Sequence, residues 1–251
     1  MKGIEISMIR FISAVTFISL FLICSIPIFF IEWIIGKFNM DLKNRSSLRI
    51  VQWAIRTAAW FCGTDVTYIG LENIPKDKAV LFVANHRSIF DIVLTYPKMV
   101  GPTGYISKKE MRKVPLMSTW MCLLHCQFLD RDDVKAGLKT ILESIESIKN
   151  GISIFIFPEG TRSKEPDAFL PFHSGSFKIA QKAKCPIIPV TLNNTHSIFE
   201  DQFPKVKKVH VVIEFGKPIH INELAPEDQK DIAGYCSKII QETYFRNKEL
   251  V

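Results

Sequence analysis

A histidine and an aspartate five residues apart, His86 and Asp91, stand where a short apolar run gives way to an amphipathic one. The run is Ala79-Val80-Leu81-Phe82-Val83-Ala84, which reads as a buried strand. Ser88 is placed as a helix N-cap, with Asp91 three residues on and Ile89, Ile92 and Val93 nearby. On one continuous helix the two groups would face different sides. With His86 on the loop and Asp91 in the first turn, the carboxylate can fold back onto one imidazole nitrogen. That bond would fix the tautomer and leave the other nitrogen basic, as a general base requires. A plainer reading stands beside it: Asp91 is the acidic partner of a capping box and His86 a loop residue. The spacing alone does not choose between them.

Further charged groups fall at the ends of predicted strands: Lys108, Arg131, Glu159 and Arg162. In open α/β sheets ligands are handled at the carboxyl edge, so these positions converge on one candidate site. Gly160 permits a tight turn, and Arg162 can hold a phosphate bidentately. The alternative for Arg131 and Arg162 is surface ion pairing, with Asp130 and Glu159. Cys122, His125 and Cys126 invite a metal reading, yet two thiols and one imidazole without a second cluster make a poor zinc site. The expectation is no metal and incidental buried thiols. The six cysteines show no paired spacing and no CxxC, which places the site in a reducing compartment.

These groups need a scaffold, and the chain supplies alternating strands and helices. Strands are predicted at 64–69, 79–84, 105–107, 127–129, 152–157, 186–191 and 209–215. Asp132 or Asp133 starts a helix to Lys149 with Val134, Leu138, Ile141, Leu142, Ile145 and Ile148 on one stripe. Pro226 opens a C-terminal helix to about Phe245. The fold class is α/β, a mostly parallel central sheet flanked by helices.

Ahead of this lies a different composition. Phe11 to Ile31 holds no charged residue. As a helix the run would be about 31 Å long, enough to cross a bilayer core. The expectation is a retained anchor rather than a cleaved signal, because the apolar region is long and no small-x-small site follows Cys24. Pro27 can bend it, so an interfacial or re-entrant helix is the alternative. Lys37, Lys43, Arg45, Arg49 and Arg56 crowd the downstream flank, which orients the rest of the chain to the cytoplasm. Residues 48–62 form an amphipathic helix that lies on a membrane surface, packs on the globular part, or does both. Gly63 marks the boundary between membrane-anchoring helices (1–62) and a globular domain (63–251). The net charge of +7 suits anionic partners. There is no nucleic-acid signature, so those anions are sought among lipids and phosphorylated substrates.

Four stretches occur in a telling order: His86-(x4)-Asp91, Phe128-Leu129-Asp130-Arg131, Phe157-Pro158-Glu159-Gly160-Thr161-Arg162-Ser163 and Ile188-Pro189-Val190. In this order they resemble the four motifs of the glycerolipid acyltransferases, over roughly residues 65 to 220. Within that family the chain looks like the bacterial-type 1-acylglycerol-3-phosphate (lysophosphatidate) acyltransferases. The resemblance implies a glycerol-3-phosphate acyltransferase-like fold and transfer of an acyl group from a thioester to the sn-2 hydroxyl of 1-acylglycerol 3-phosphate, giving phosphatidic acid. It implies His86 as the base and Asp91 as its orienting partner. Arg131 and Arg162 would bind the acceptor phosphate, with Glu159, Gly160 and Thr161 shaping that loop. Lys108 would add to the phosphate site, and Pro189 would help form the acyl site or simply shape its strand. Asn85 would donate near the thioester or hold the loop. No cofactor is implied; the donor is acyl-CoA or acyl-carrier protein, and the partners are membrane lipids. The implied place is the cytoplasmic face of a membrane, the inner one in a bacterium. One position departs from the pattern: the second motif commonly opens with Gly, and His125 stands there. An acyltransferase acting on another lysophospholipid and a non-catalytic lipid-binding protein remain as alternatives.

Overall fold

Apolar side chains along the strands alternate between two faces, and this alternation sets the layers. The computed structural model describes residues 2–131, 133–163, 165 and 167–251; Asp132, one of the two expected helix starters, lies outside them. The strands are β1 (Asp65–Ile69), β2 (Leu81–Ala84), β3 (Thr103–Lys108), β4 (Gln127–Leu129), β5 (Ser153–Ile156), β6 (Ile187–Asn193) and β7 (His210–Phe215). They form one sheet in the order β1-β7-β6-β2-β5-β3-β4. β6, β2, β5, β3 and β4 run the same way; β7 is antiparallel to β6, and β1 parallel to β7. The expected mostly parallel sheet is therefore present.

Helices cover both faces. Phe82, Phe155 and Ile188 point to one face, where they meet α3 (Met40–Cys62), α4 (Phe90–Thr95) and α5 (Met117–Leu123). Leu81, Val83 and Ile154 point to the other, against α6 (Val134–Lys149), α7 (Lys178–Ala183) and α9 (Ile232–Asn247). Each such side chain, withdrawn from water, contributes about 1.5–3 kcal/mol. The chain leaves β2 through α4 and crosses β5 to reach β3. It leaves β5 through α7 and crosses β2 to reach β6. Two neighbouring strands thus send their chains in opposite directions over opposite faces. A crevice opens at their carboxyl ends, which is where such sheets handle ligands.

Several elements differ from expectation. The single C-terminal helix is two: α8 (Pro226–Lys230) stops at Asp231, whose carboxylate accepts from Gly234 N at 3.0 Å and caps α9. On α6, Leu138 and Leu142 are exposed while Ile145 and Ile148 are buried. The buried face is rotated towards Thr140 and Ser144, whose hydroxyls bond the backbone, and Ser144 also bonds Gln127 of β4. The N-terminal apolar run is broken at Ser25 rather than bent at Pro27. α1 (Lys2–Cys24) ends there and α2 (Ile26–Phe38) begins, with Pro27 in a first turn where its missing N–H costs nothing. Ser25 Oγ donates to Leu22 O at 2.8 Å and accepts from Trp120 Nε1 of α5 at 3.0 Å.

Asn39 caps α3, accepting from Leu42 N at 2.9 Å, and α3 runs back along α2 and α1. It begins earlier than expected and ends at Gly63, whose φ of 67° suits glycine. Its face of Leu48, Val51, Ala59 and Cys62 joins the core, and Gln52 Nε2 donates to Met99 O at 2.8 Å. Trp53 and Trp60 stay exposed on its other side. The stretch Glu5–Cys24 of α1 is long and apolar enough to cross a membrane. Part of it packs inward, with Phe21 stacked on Trp120 at 5.7 Å.

Candidate active site

β2 ends at Ala84, and the next residues are pinned one after another. Asn85 uses both amide atoms on Leu192 of β6, donating to its O and accepting from its N, each at 2.9 Å. Both ends of that amide are occupied, so Asn85 holds the loop. Asp91 is fully buried. Its Oδ2 accepts from His86 Nδ1 at 2.8 Å, from Arg87 N at 2.8 Å and from Ser88 N at 2.9 Å. Ser88 Oγ in turn accepts from Phe90 N at 2.9 Å. The His–Asp pair and the brace on the Ser88 turn therefore meet at one carboxylate oxygen. The expected Ser88 cap is not formed: α4 is capped one residue later, at Ile89, with no side-chain cap bond, and Asp91 N donates to Ser88 O rather than to its hydroxyl.

With Asp91 accepting at Nδ1, the proton sits there and Nε2 is the basic nitrogen. No hydrogen bond among the described residues engages Nε2. Phe157 stacks on the imidazole at 4.0 Å and 19°, which fixes the ring plane. The His86 side chain keeps 12% of its surface, enough to be reached from outside.

The loop after β5 braces the same turn. Glu159 is buried; its Oε1 accepts from His86 N at 2.9 Å and its Oε2 from Leu170 N at 3.1 Å. Burial pushes its carboxyl up to about 7, against the pull of those two N–H groups and of Arg87, with the Asp91 carboxylate adding to the rise. Ser163 N donates to His86 O at 2.9 Å. Gly160 has φ 71°, and a Cβ there would stand 3.3 Å from the His173 ring. The turn therefore selects glycine. Thr161 and Arg162 are exposed on its tip. Arg162 pairs with Glu200, Nη1 to Oε1 at 3.3 Å, and not with Glu159.

Glu200 carries no sequence signal. It lies in a 3-10 turn beyond β6, and besides Arg162 it accepts from Ser88 Oγ at 2.6 Å and from Ile89 N at 2.8 Å. Ser88 and Ile89 are more than a hundred residues away in sequence and Arg162 is 38, and only the sheet order brings them together.

Of the remaining expected residues, Lys108 and Arg131 stand along the same edge and Pro189 does not. Lys108 ends β3 and Arg131 follows β4, both exposed. From β2 the order runs β5, β3, β4, so at about 4.8 Å per strand they lie roughly 10 and 14 Å across the sheet. Pro189 is buried inside β6, level with Val83 and hence about 10 Å short of His86 along the strand. It faces a bulge: β6 and β7 pair at Val190–Phe215, and the next bridge is Ile187–Ile219, one residue longer on the second side. A bulge tolerates the missing N–H of proline within a sheet.

His125, the departure from the second motif, has φ 59°. Its N–H donates to Cys122 O at 3.0 Å and that of Cys126 to Met121 O at 2.8 Å, which is a Schellman end to α5. The left-handed position explains why glycine is common there. His125 Nε2 bonds Asn44 Oδ1 of α3 at 2.8 Å. Burial, with Lys43 beside it, pulls its pKa down to about 4. Cys126 Sγ lies 3.5 Å from Tyr105 N. Among the described residues no group of three His, Cys, Asp or Glu side chains is placed to hold a metal ion.

Comparison with known proteins places this geometry among relatives. The family model described as Acyltransferase matches residues 65–193. A 1-acyl-sn-glycerol-3-phosphate acyltransferase of Haemophilus influenzae is 30% identical over 79% of this chain and 82% of its own. The protein of that name from Saccharomyces cerevisiae is 32% identical over 66% of this chain and 55% of its own. One from Borreliella burgdorferi is 30% identical over 62% of each. The chain thus spans less than two thirds of the yeast and Borreliella relatives. The crystal structure of the 1-acyl-sn-glycerophosphate (LPA) acyltransferase PlsC from Thermotoga maritima superposes with a TM-score of 0.82, at 23% identity, over 99% of both chains. That likeness is one of fold.

Proposed function

Since the chain belongs to the acyltransferase family, we propose that it transfers a fatty acyl group from a thioester to the sn-2 hydroxyl of 1-acylglycerol 3-phosphate, giving phosphatidic acid. The observation that carries this reading is the His86 Nδ1–Asp91 Oδ2 bond of 2.8 Å at the carboxyl edge of the sheet. His86 Nε2 takes the proton of the acceptor hydroxyl as its oxygen attacks the thioester carbonyl. Asp91 steadies the imidazolium that forms. The carbon–sulfur bond then breaks, and the imidazolium returns its proton to the leaving thiolate. The products are an ester and a free thiol, with no acyl-enzyme and no cofactor.

Arg162, exposed and within reach of the His86 loop, is the first candidate for the acceptor phosphate. Lys108 and Arg131 add positive charge farther along the edge. Glu159 and Gly160 hold the loop, with Thr161 at its tip, and Pro189 keeps its place in the sheet body. The donor is acyl-CoA or acyl-carrier protein, both soluble, while acceptor and product are lipids. The apolar helix α1 and the exposed Trp53 and Trp60 support a chain held at a membrane. The basic flank from Lys37 to Arg56 supports a cytoplasmic site, on the inner membrane in a bacterium.

The test is thiol release from long-chain acyl-CoA and from acyl-carrier protein by the detergent-purified chain, with and without lysophosphatidate. Acceptor-dependent release is expected, and His86→Ala should abolish it while leaving the thermal transition in place. Release that survives His86→Ala would overturn the mechanism. Arg162→Ala should raise the acceptor KM about tenfold. A silent Arg162→Ala, with release instead supported by a neutral-headgroup lysophospholipid, would move the acceptor to that class.

A further inference from the structure

The Glu200 carboxylate stands between the two halves of the site. Oε2 takes the Ser88 hydroxyl at 2.6 Å, and Oε1 takes Ile89 N at 2.8 Å and Arg162 Nη1 at 3.3 Å. The first two partners belong to the turn whose Ser88 N–H also rests on Asp91, so they fix the frame that carries His86. The third is the guanidinium proposed for the phosphate. The three bonds are unequal. Those to the turn are short, and the one to Arg162 is the longest and lies between half-exposed groups, 44% and 25% accessible.

The segment is itself held in place. Phe199 stacks on Phe11 of α1 at 5.7 Å and leans on Phe90 of α4 at 6.4 Å, and Val206 N donates to Ser7 O at 3.4 Å. Glu200 is therefore not a loose surface acid that happens to meet an arginine.

We propose that Glu200 is a positioning residue of the acyl-transfer site: it anchors the Ser88–Ile89 turn and occupies Arg162 until the phosphate of the acceptor replaces it. This rests on the function proposed above. A phosphate offers Arg162 a bidentate partner, where Glu200 offers one long bond. Glu200 gives up Arg162 without being left bare, because two donors remain on it. The exchange then costs little, and the carboxylate continues to hold the His86 frame while the acceptor binds beside it.

The charge and the anchor can be separated by substitution. Glu200→Gln keeps an oxygen for Ile89 N and an amide that can meet Ser88 Oγ, but removes the charge on Arg162. Its acceptor KM should fall about fivefold, with kcat within about twofold of wild type. Glu200→Ala removes the anchor as well and should lower kcat about tenfold or more. In an Arg162→Ala background the KM effect of Glu200→Gln should vanish.

Steady-state thiol release with lysophosphatidate as the varied acceptor reads all five proteins: wild type, the three single variants and the Arg162→Ala/Glu200→Gln pair. Absence of acceptor-dependent release by the wild type would defeat the proposed function itself. With an active wild type, two results would overturn the positioning role: an unchanged KM in Glu200→Gln, or a KM effect of the same size without Arg162. A Glu200→Ala that matches Glu200→Gln in both constants would overturn the anchor.

Discussion

Two histidines sit on loops of this molecule, each beside a short helix, and they could hardly be treated more differently. His86 meets a buried carboxylate at 2.8 Å and keeps part of its ring open. His125 meets a neutral amide, Asn44, at the same distance, and stands beside Lys43. Burial holds it neutral down to about pH 4. The residue type is identical and the surroundings divide the roles: an acidic partner with access suits His86 to the base proposed above, and a neutral partner with burial makes His125 a latch between α3 and the start of β4.

The comparison can be tested from the base outward. Asp91→Asn should have the largest effect, because it leaves the imidazolium without a counter-charge. The asparagine oxygen can still take the place of Oδ2, so the fold should hold while kcat drops about a hundredfold or more, with acceptor KM little changed. Steady-state rates beside a thermal melt would show it, and an unchanged kcat would erase the distinction drawn between the two rings.

His125→Gly is expected to keep activity within about threefold, since the left-handed position accepts glycine freely. Its signature lies in stability. A folded pKa near 4 against an ordinary 6.5 means that the unfolded chain binds the proton first as pH falls. The contribution of His125 is complete above about pH 6.5 and is lost on descent towards pH 4. Denaturant unfolding at pH 7 and pH 5 should show a smaller loss for His125→Gly than for the wild type. The smallest effect, and the sharpest, is Asn44→Asp. A carboxylate at that position should move the His125 pKa upward, readable by NMR titration, with no gain in catalysis. A pKa that stays put would mean that burial alone, and not the partner, sets this ring.

How far the sequence carries depends on the distance between partners. His86 and Asp91 lie within one turn, and Glu159, Gly160 and Arg162 within one loop, so residue types and spacing suffice to group them. Glu200 reaches Ser88 across 112 residues, and Asn44 reaches His125 across 81. Contacts of that range are set by the order of strands in the sheet, which no local period encodes. The same limit explains the helices. The apolar stripe on α6 predicted a buried Leu138 and Leu142, but polar Thr140 and Ser144 take the inner face, Thr140 bonding its own helix backbone and Ser144 bonding Gln127. The breaks at Ser25 and Asp231 likewise depend on Trp120 and on a cap, neither visible as a change in period. The sheet itself was legible because its strands are short, apolar and bounded by turn residues.

The seam between α3 and the sheet bears on how the chain is made. Leu48, Val51, Ala59 and Cys62 belong to the same hydrophobic cluster as Ile188, Val190 and Phe215, more than a hundred positions later. During synthesis the apolar hairpin leaves the ribosome well before the strands that will cover its inner face exist. In that interval lipid or a chaperone is the shelter open to it. A fragment starting at residue 63 would inherit the opposite problem, a finished sheet with one greasy flank uncovered, and should be recovered as aggregate.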